Sequence, residues 1–185
     1  MDVEQNPLRR SRGLTLIELI AAIAVIAISL TILMPSWASI TQRNQITTTV
    51  NQLVAHLRYA RSTAVTRNAF VTLCPSDDGQ SCSGNTLGWR DGYLVFEDHD
   101  GDGERTDDEP LLRVRGSLAP NLRLQSTAGR PEIRFRGDGA AWSTNTTFSV
   151  CLGDDVSAYR AVILLGTGRV RTDRVAPKNK PIVCS

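Results

Sequence analysis

Histidine occurs only twice in the 185 residues, at His56 and His99. Neither lies at a spacing from Ser or Cys that would pair a nucleophile with its base. The four cysteines form no C-x-x-C pair and have no histidine nearby, which argues against a zinc centre. Between Arg169 and Lys180 no aromatic residue interleaves the basic ones, so sequence gives no support for base stacking on single-stranded nucleic acid. No internal repeat is present, and the only compositionally biased stretch is an acidic loop. Nothing like A-x-A follows the apolar run that ends at Met34, which excludes an ordinary secretory signal. These absences leave a non-enzymatic reading.

What is present begins at Arg12-Gly13-Leu14-Thr15-Leu16-Ile17-Glu18. An apolar run opens there and continues, interrupted by Ser29 and Thr31, to Met34. Residues 14–35 therefore read as a membrane span preceded by a short leader, 1–13. Arg9, Arg10 and Arg12 mark the leader as cytoplasmic and send the rest of the chain outward. Glu18 falls just inside the span, where an ionised carboxylate costs on the order of 2.5–3.5 kcal/mol and so calls for a positive partner.

Beyond Pro35, residues 36–68 carry apolar side chains at Ile40, Ile46, Val50, Leu53, Leu57, Ala60 and Ala64, a helical spacing. One long helix kinked near Pro35 is expected, its apolar stripe laid on a sheet, with Trp37 at the interface or in packing. From Ala69 the period changes to short β-rich runs at 70–73, 92–96, 111–114, 122–124, 133–135, 147–151 and 160–165, separated by Gly, Asp and Pro. The fold class is α+β: one helix against antiparallel sheet, with 69–185 as one domain. Residues 176–181 read as a flexible tail held by Cys184.

Charge is unevenly spread. From Asp91 to Glu109 nine acidic residues face Arg105 alone, a balance of −8. From Val156 to Ser185 six basic residues face Asp173, a balance of +5, and 113–136 is likewise +5. The separation points to an anionic partner on the basic side or to solvated faces.

All four cysteines follow the span and would meet an oxidising compartment. Three pairings are open; Cys74–Cys82, closing a turn-rich loop, and Cys151–Cys184, pinning the tail to a strand, are favoured. In the acidic loop Asp98, Asp100, Asp102 and Glu109 have the spacing of calcium ligands. However, a strand leads in where a helix should, and Arg105 replaces the mid-loop apolar residue, so an acidic hairpin tip is the favoured alternative. Finally, Gly168-Arg169-Val170-Arg171 follows a Gly-Thr-Gly turn. If the chain re-enters a strand there, Arg169 and Arg171 share one face and suit bidentate phosphate contact, with Arg174, Lys178 and Lys180 adding charge. The alternative is a surface hairpin with two solvated arginines.

The basic leader, Gly13, the apolar Leu14 and Glu18 resemble the type III signal of prepilins. That resemblance implies cleavage between Gly13 and Leu14 by a membrane prepilin peptidase and methylation of the new Leu14 amine. It also implies an inner-membrane subunit whose Glu18 neutralises that amine on a neighbour, setting assembly register. The cysteine pattern, the block Gly88-Trp89-Arg90-Asp91-Gly92-Tyr93, the acidic Asp-Gly loop and Gly-Arg-x-Arg together resemble the GspH/FimT group of minor pilins and pseudopilins, over 13–184. Its fold would be type IV pilin-like, with a periplasmic β-rich domain. In the FimT branch, Arg169 and Arg171 would grip DNA taken up in natural transformation. The rival is a GspH-like pseudopilin of type II secretion; a third reading, of another class, is a membrane-anchored calcium-binding module.

Overall fold

The computed structural model describes residues 13, 15–142, 145–153 and 156–184, without the side chains of 31–39. Leader residues 1–12, Leu14 of the expected cleavage junction and the side chain of Trp37 lie outside the described residues. Two units are distinguished, 1–41 and 42–185.

A single helix, α1, runs over Leu16–Arg67. At its start the amide of Glu18 donates to Thr15 Oγ1 at 3.4 Å and to Thr15 O at 3.1 Å, so Thr15 caps the first turn. Thr15-x-x-Glu18 is the spacing of a capping box, and a carboxylate in the first turn suits the helix dipole. In the first unit Leu16, Ile17, Leu19, Ile20, Ile23 and Ile26 are all at least half exposed, an apolar surface that water does not favour. Among the described residues no helix is long and apolar enough to cross a membrane; the expected span 14–35 includes Leu14 and the side chains of 31–35, which are not described.

In the second unit the helix buries Ile46, Val50, Leu53, Leu57, Ala60 and Ala64, the stripe expected from spacing. Ile40, placed on that stripe from sequence, is exposed instead, because it precedes the segment that meets the sheets. The helix ends with Asn68 at φ 50°, a left-handed residue past the last turn, and the amide of Ala69 reaches back to Ala64 O at 3.2 Å. Arg67, in the last turn, pairs with Glu97.

Two antiparallel sheets complete the unit. The first has the order β3-β2-β1-β5-β6, with β1 Phe70–Pro75, β2 Tyr93–Asp98, β3 Leu111–Arg115, β5 Ile133–Phe135 and β6 Ala141–Trp142. The second has the order β4-β7-β8-β9, with β4 Leu122–Gln125, β7 Thr146–Leu152, β8 Arg160–Leu164 and β9 Val170–Asp173. One core takes the helix stripe, Val71, Leu73 and Phe135 from the first sheet, and Leu124, Phe148, Val150 and Val162 from the second. Trp89 sits fully buried in it on a short 3₁₀ turn, Gly88–Arg90, that precedes β2. Between that turn and β2, a Cβ on Gly92 would stand 2.6 Å from Arg115 O and 2.7 Å from Ser76 O, so the backbones meet only because the residue is glycine.

Cys74 is bonded to Cys82, and Cys151 to Cys184. The tail is held by Cys184 as expected but is packed rather than flexible: Ala176 pairs with Lys180, Ile182 is buried, and Gln125 Nε2 donates to Val183 O at 3.0 Å. Ile182 joins Cys151, Tyr159, Ala161 and Ile163 in a small second core on the outer face of the second sheet. An apolar residue two places before the last cysteine is the physical reason this segment does not stay in water.

His56 on α1 shares a hydrogen bond of 3.0 Å with Tyr93 Oη. Desolvation first, then Arg113 and Arg115, hold its imidazole below the usual histidine pKa. A depressed folded-state pKa gives stability that is complete above about pH 6.5 and is lost as pH falls through the lowered value. The melting temperature should therefore fall below pH 6.5 more steeply in the native chain than in His56→Gln; parallel curves would contradict this account.

Candidate nucleic-acid interface

The chain does re-enter a strand after Gly166-Thr167-Gly168. The β8–β9 hairpin pairs Leu164 with Val170 and Ile163 with Arg171, and Val170 is partly buried against the core. Arg169 and Arg171, on either side of it, are exposed. The turn is closed by Gly168 N to Leu165 O at 2.8 Å and Leu165 N to Arg169 O at 2.9 Å. Gly168 has φ 76°, and a Cβ there would collide with Gly139 O and with Arg61 Nε. This hairpin turn is thus seated directly on the turn between β5 and β6.

Arg61 of α1 clasps both turns, its Nε donating to Gly139 O at 2.8 Å and its Nη2 to Thr167 O at 3.3 Å. Ala141 N adds a bond to Gly166 O at 2.9 Å. Beside this junction opens a groove of about 800 Å³ whose walls include Arg58 and Arg61 from the helix and Arg169 from the hairpin. Arg169 has no acidic partner among the described residues. Arg171 differs, with Nη1 3.0 Å from Asp173 Oδ2, so part of its charge is already answered on its own strand.

The five basic residues picked out from sequence do not share one groove. Arg174 lines a separate depression with Arg43 and Arg160. Lys178 and Lys180 border a third, beneath the packed tail, where Lys178 and Asn179 take positive φ. Arg58 is the addition that sequence reasoning missed: it lies off the apolar stripe of the helix, which is the signal, but only the fold sets it beside Arg169.

The acidic loop joins the antiparallel strands β2 and β3, the hairpin tip favoured from sequence. Asp98 is fully buried; its Oδ2 accepts a hydrogen bond from Thr72 Oγ1 at 2.6 Å and lies 3.1 Å from Arg134 Nε. Arg134 also donates to Gly101 O and reaches Glu132 at 3.3 Å. Burial raises the pKa of Glu132, partly countered by Arg134. Asp98, Asp100 and Asp102 bring carboxylate oxygens within 4.8 Å of one another. Glu109 does not join them: its carboxylate accepts from the amides of His99 and Thr106, at 2.8 and 2.9 Å, closing the loop. Three of the four candidate ligands therefore meet, beside a guanidinium that already supplies positive charge.

Compared with family models, residues 49–168 match the type II transport protein GspH, and residues 8–34 match the prokaryotic N-terminal methylation motif. The chain belongs to the GspH family. The second match covers Gly13, Leu14 and Glu18. Among solved structures, the type IV minor pilin FimU of Pseudomonas aeruginosa is similar at a TM-score of 0.59 and 22% identity, covering 75% of this chain and 97% of that one. The minor pseudopilin EpsH from the type 2 secretion system of Vibrio cholerae is similar at 0.50 and 13% identity, over 72% and 98%. At these identities the likeness is one of fold, the type IV pilin-like α+β arrangement. No curated protein matches the chain. As a GspH-family chain with a methylation motif it is a minor pilin or pseudopilin, a structural subunit that assembles with other such subunits in a pilus or pseudopilus. The family match stops at Gly168, one residue before the arginine pair.

Proposed function

We propose that this GspH-family chain is a minor type IV pilin of the FimT kind that binds DNA for uptake in natural transformation. In this reading the precursor enters the inner membrane by residues 14–35 with the later domain in the periplasm. A prepilin peptidase cuts between Gly13 and Leu14, the Leu14 amine is methylated, and Glu18 neutralises that amine on a neighbouring subunit. The observation that carries the DNA reading is Arg169. It stands exposed at the tip of a hairpin beside a groove shared with Arg58 and Arg61 and forms no ion pair among the described residues; Asp138, also on the groove wall, is paired with Arg136. Arg171 extends the contact along the strand, and Arg174, Lys178 and Lys180 act at a distance through charge. Contacts of this kind grip phosphates and carry no base code.

The test is a gel-shift titration of the full chain in detergent against duplex DNA at several salt concentrations. Binding should weaken with salt, and Arg169→Ala/Arg171→Ala should reduce the log–log slope by about 2, one for each phosphate no longer neutralised. Arg169→Ala alone should cost more than Arg171→Ala, because Asp173 already engages Arg171. No binding at low salt would overturn the reading.

That second outcome favours a pseudopilin of type II secretion, the kind of protein for which the matching family model is described. There Arg169 and Arg171 would be solvated or contact protein.

A further inference from the structure

Sequence alone offers no aromatic among the basic residues, yet the fold brings one to them. Trp142, on the two-residue strand β6, is 53% exposed, an unusual place for the largest apolar side chain. Its ring is propped edge-on by Phe70, with centroids 6.1 Å apart at 82°, and the Arg136 guanidinium lies 5.6 Å from its centre. The docking of the β5–β6 turn on the β8–β9 turn joins the backbones next to this group, Ala141 N donating to Gly166 O; the Trp142 ring itself lines neither groove and meets the basic residues through Arg136. A groove of about 490 Å³ next to Phe70 and Arg136 and the groove of Arg58 and Arg169 have Asp138 as a common wall.

We propose that Trp142 is a stacking platform for an unpaired base, so that the strand held at Arg169 is gripped as single-stranded DNA. This rests on the DNA reading above and names the form of the ligand. Phosphates would lie toward Arg169, Arg58 and Arg136, while a base lies on the open face of the indole. The charges around it agree with that polarity. Asp138 is paired with Arg136 at 3.6 Å, and Glu97 with Arg67. On its other side, Phe70 packs against Gly101 of the acidic loop. An indole face suits any base, so no sequence preference follows.

The experiment compares the full chain in detergent with Trp142→Ala and Trp142→Phe, titrated with single-stranded oligothymidine and with duplex DNA. Trp142→Ala should raise the Kd for oligothymidine about 5- to 150-fold, as loss of one stacked base implies, with little change for duplex. Trp142→Phe should restore most of the single-strand affinity. Fluorescence supplies a direct readout: Trp89 is fully buried, so oligothymidine should quench the native chain more than Trp142→Phe. Equal single-strand affinity in native and Trp142→Ala chains, or equal quenching in native and Trp142→Phe chains, would overturn the platform and leave duplex binding standing. Failure of the native chain to bind either form at low salt would instead overturn the DNA reading itself.

Discussion

Replacing Arg134 with Met should lower the unfolding free energy by about 3–5 kcal/mol, the usual cost of stranding a buried charge by removing its partner. Asp98 is fully buried, and one of its oxygens, Oδ1, has no hydrogen-bond partner among the described residues. Arg134 Nε stands 3.1 Å from the other oxygen without the alignment of a hydrogen bond, so the attraction is chiefly between charges. The same guanidinium bonds Gly101 O and pairs with Glu132, joining β5 to the acidic loop. Met keeps much of the stem and removes the charge, which isolates the electrostatic part. Adding Asp98→Asn to the Arg134→Met chain should recover part of the loss, because no charge is then left buried. Denaturant unfolding curves for the three chains decide it, and a single variant within about 1 kcal/mol of the parent would refute the role.

Trp89→Ala should cost about 3–5 kcal/mol, the range for removing a large aromatic side chain from a packed core. Its indole meets Phe148 edge-on at 4.9 Å and Tyr93 at 5.8 Å, so it touches both sheets. It also donates from Nε1 to Ser126 Oγ at 3.1 Å, and that hydroxyl in turn donates to Arg130 O at 2.7 Å. The substitution opens a cavity and loosens the 126–130 loop together. Against a domain stability of about 5–15 kcal/mol, this is a large fraction. Trp89→Phe should lose less, since most apolar packing returns and the donor to Ser126 alone is missing. Thermal melts should rank native, Phe and Ala in that order; coincident native and Ala melts would mean the centre of the core lies elsewhere.

Much of this architecture is legible in the sequence wherever local pattern and tertiary environment agree. The helix stripe from Ile46 to Ala64 stands out because one face alone is apolar, and the strand runs at Phe70, Tyr93 and Ile133 because glycine or proline brackets them. Ile40 misleads because spacing reports a face and not whether anything covers it. The strand Ala141–Trp142 is invisible: two residues have no period, and their pairing depends on β5 and on Gly166. The candidate site divides in the same way. Arg169 and Arg171 lie in one short motif, whereas Arg58 shares a groove with Arg169, and Trp142 stacks with Arg136, only through tertiary packing. Glu109 shows the converse, since ligand spacing along the chain does not foretell that its oxygens are taken by backbone amides.

The two disulfides differ in the moment at which they can close. Cys74 and Cys82 are 8 residues apart, so their loop needs only β1 and the turn after it. Cys151 and Cys184 are 33 apart and meet only once β7 and β8 are paired and Ile182 has settled on the outer face of their sheet. The second bond is therefore a covalent record that the last segment has been laid down.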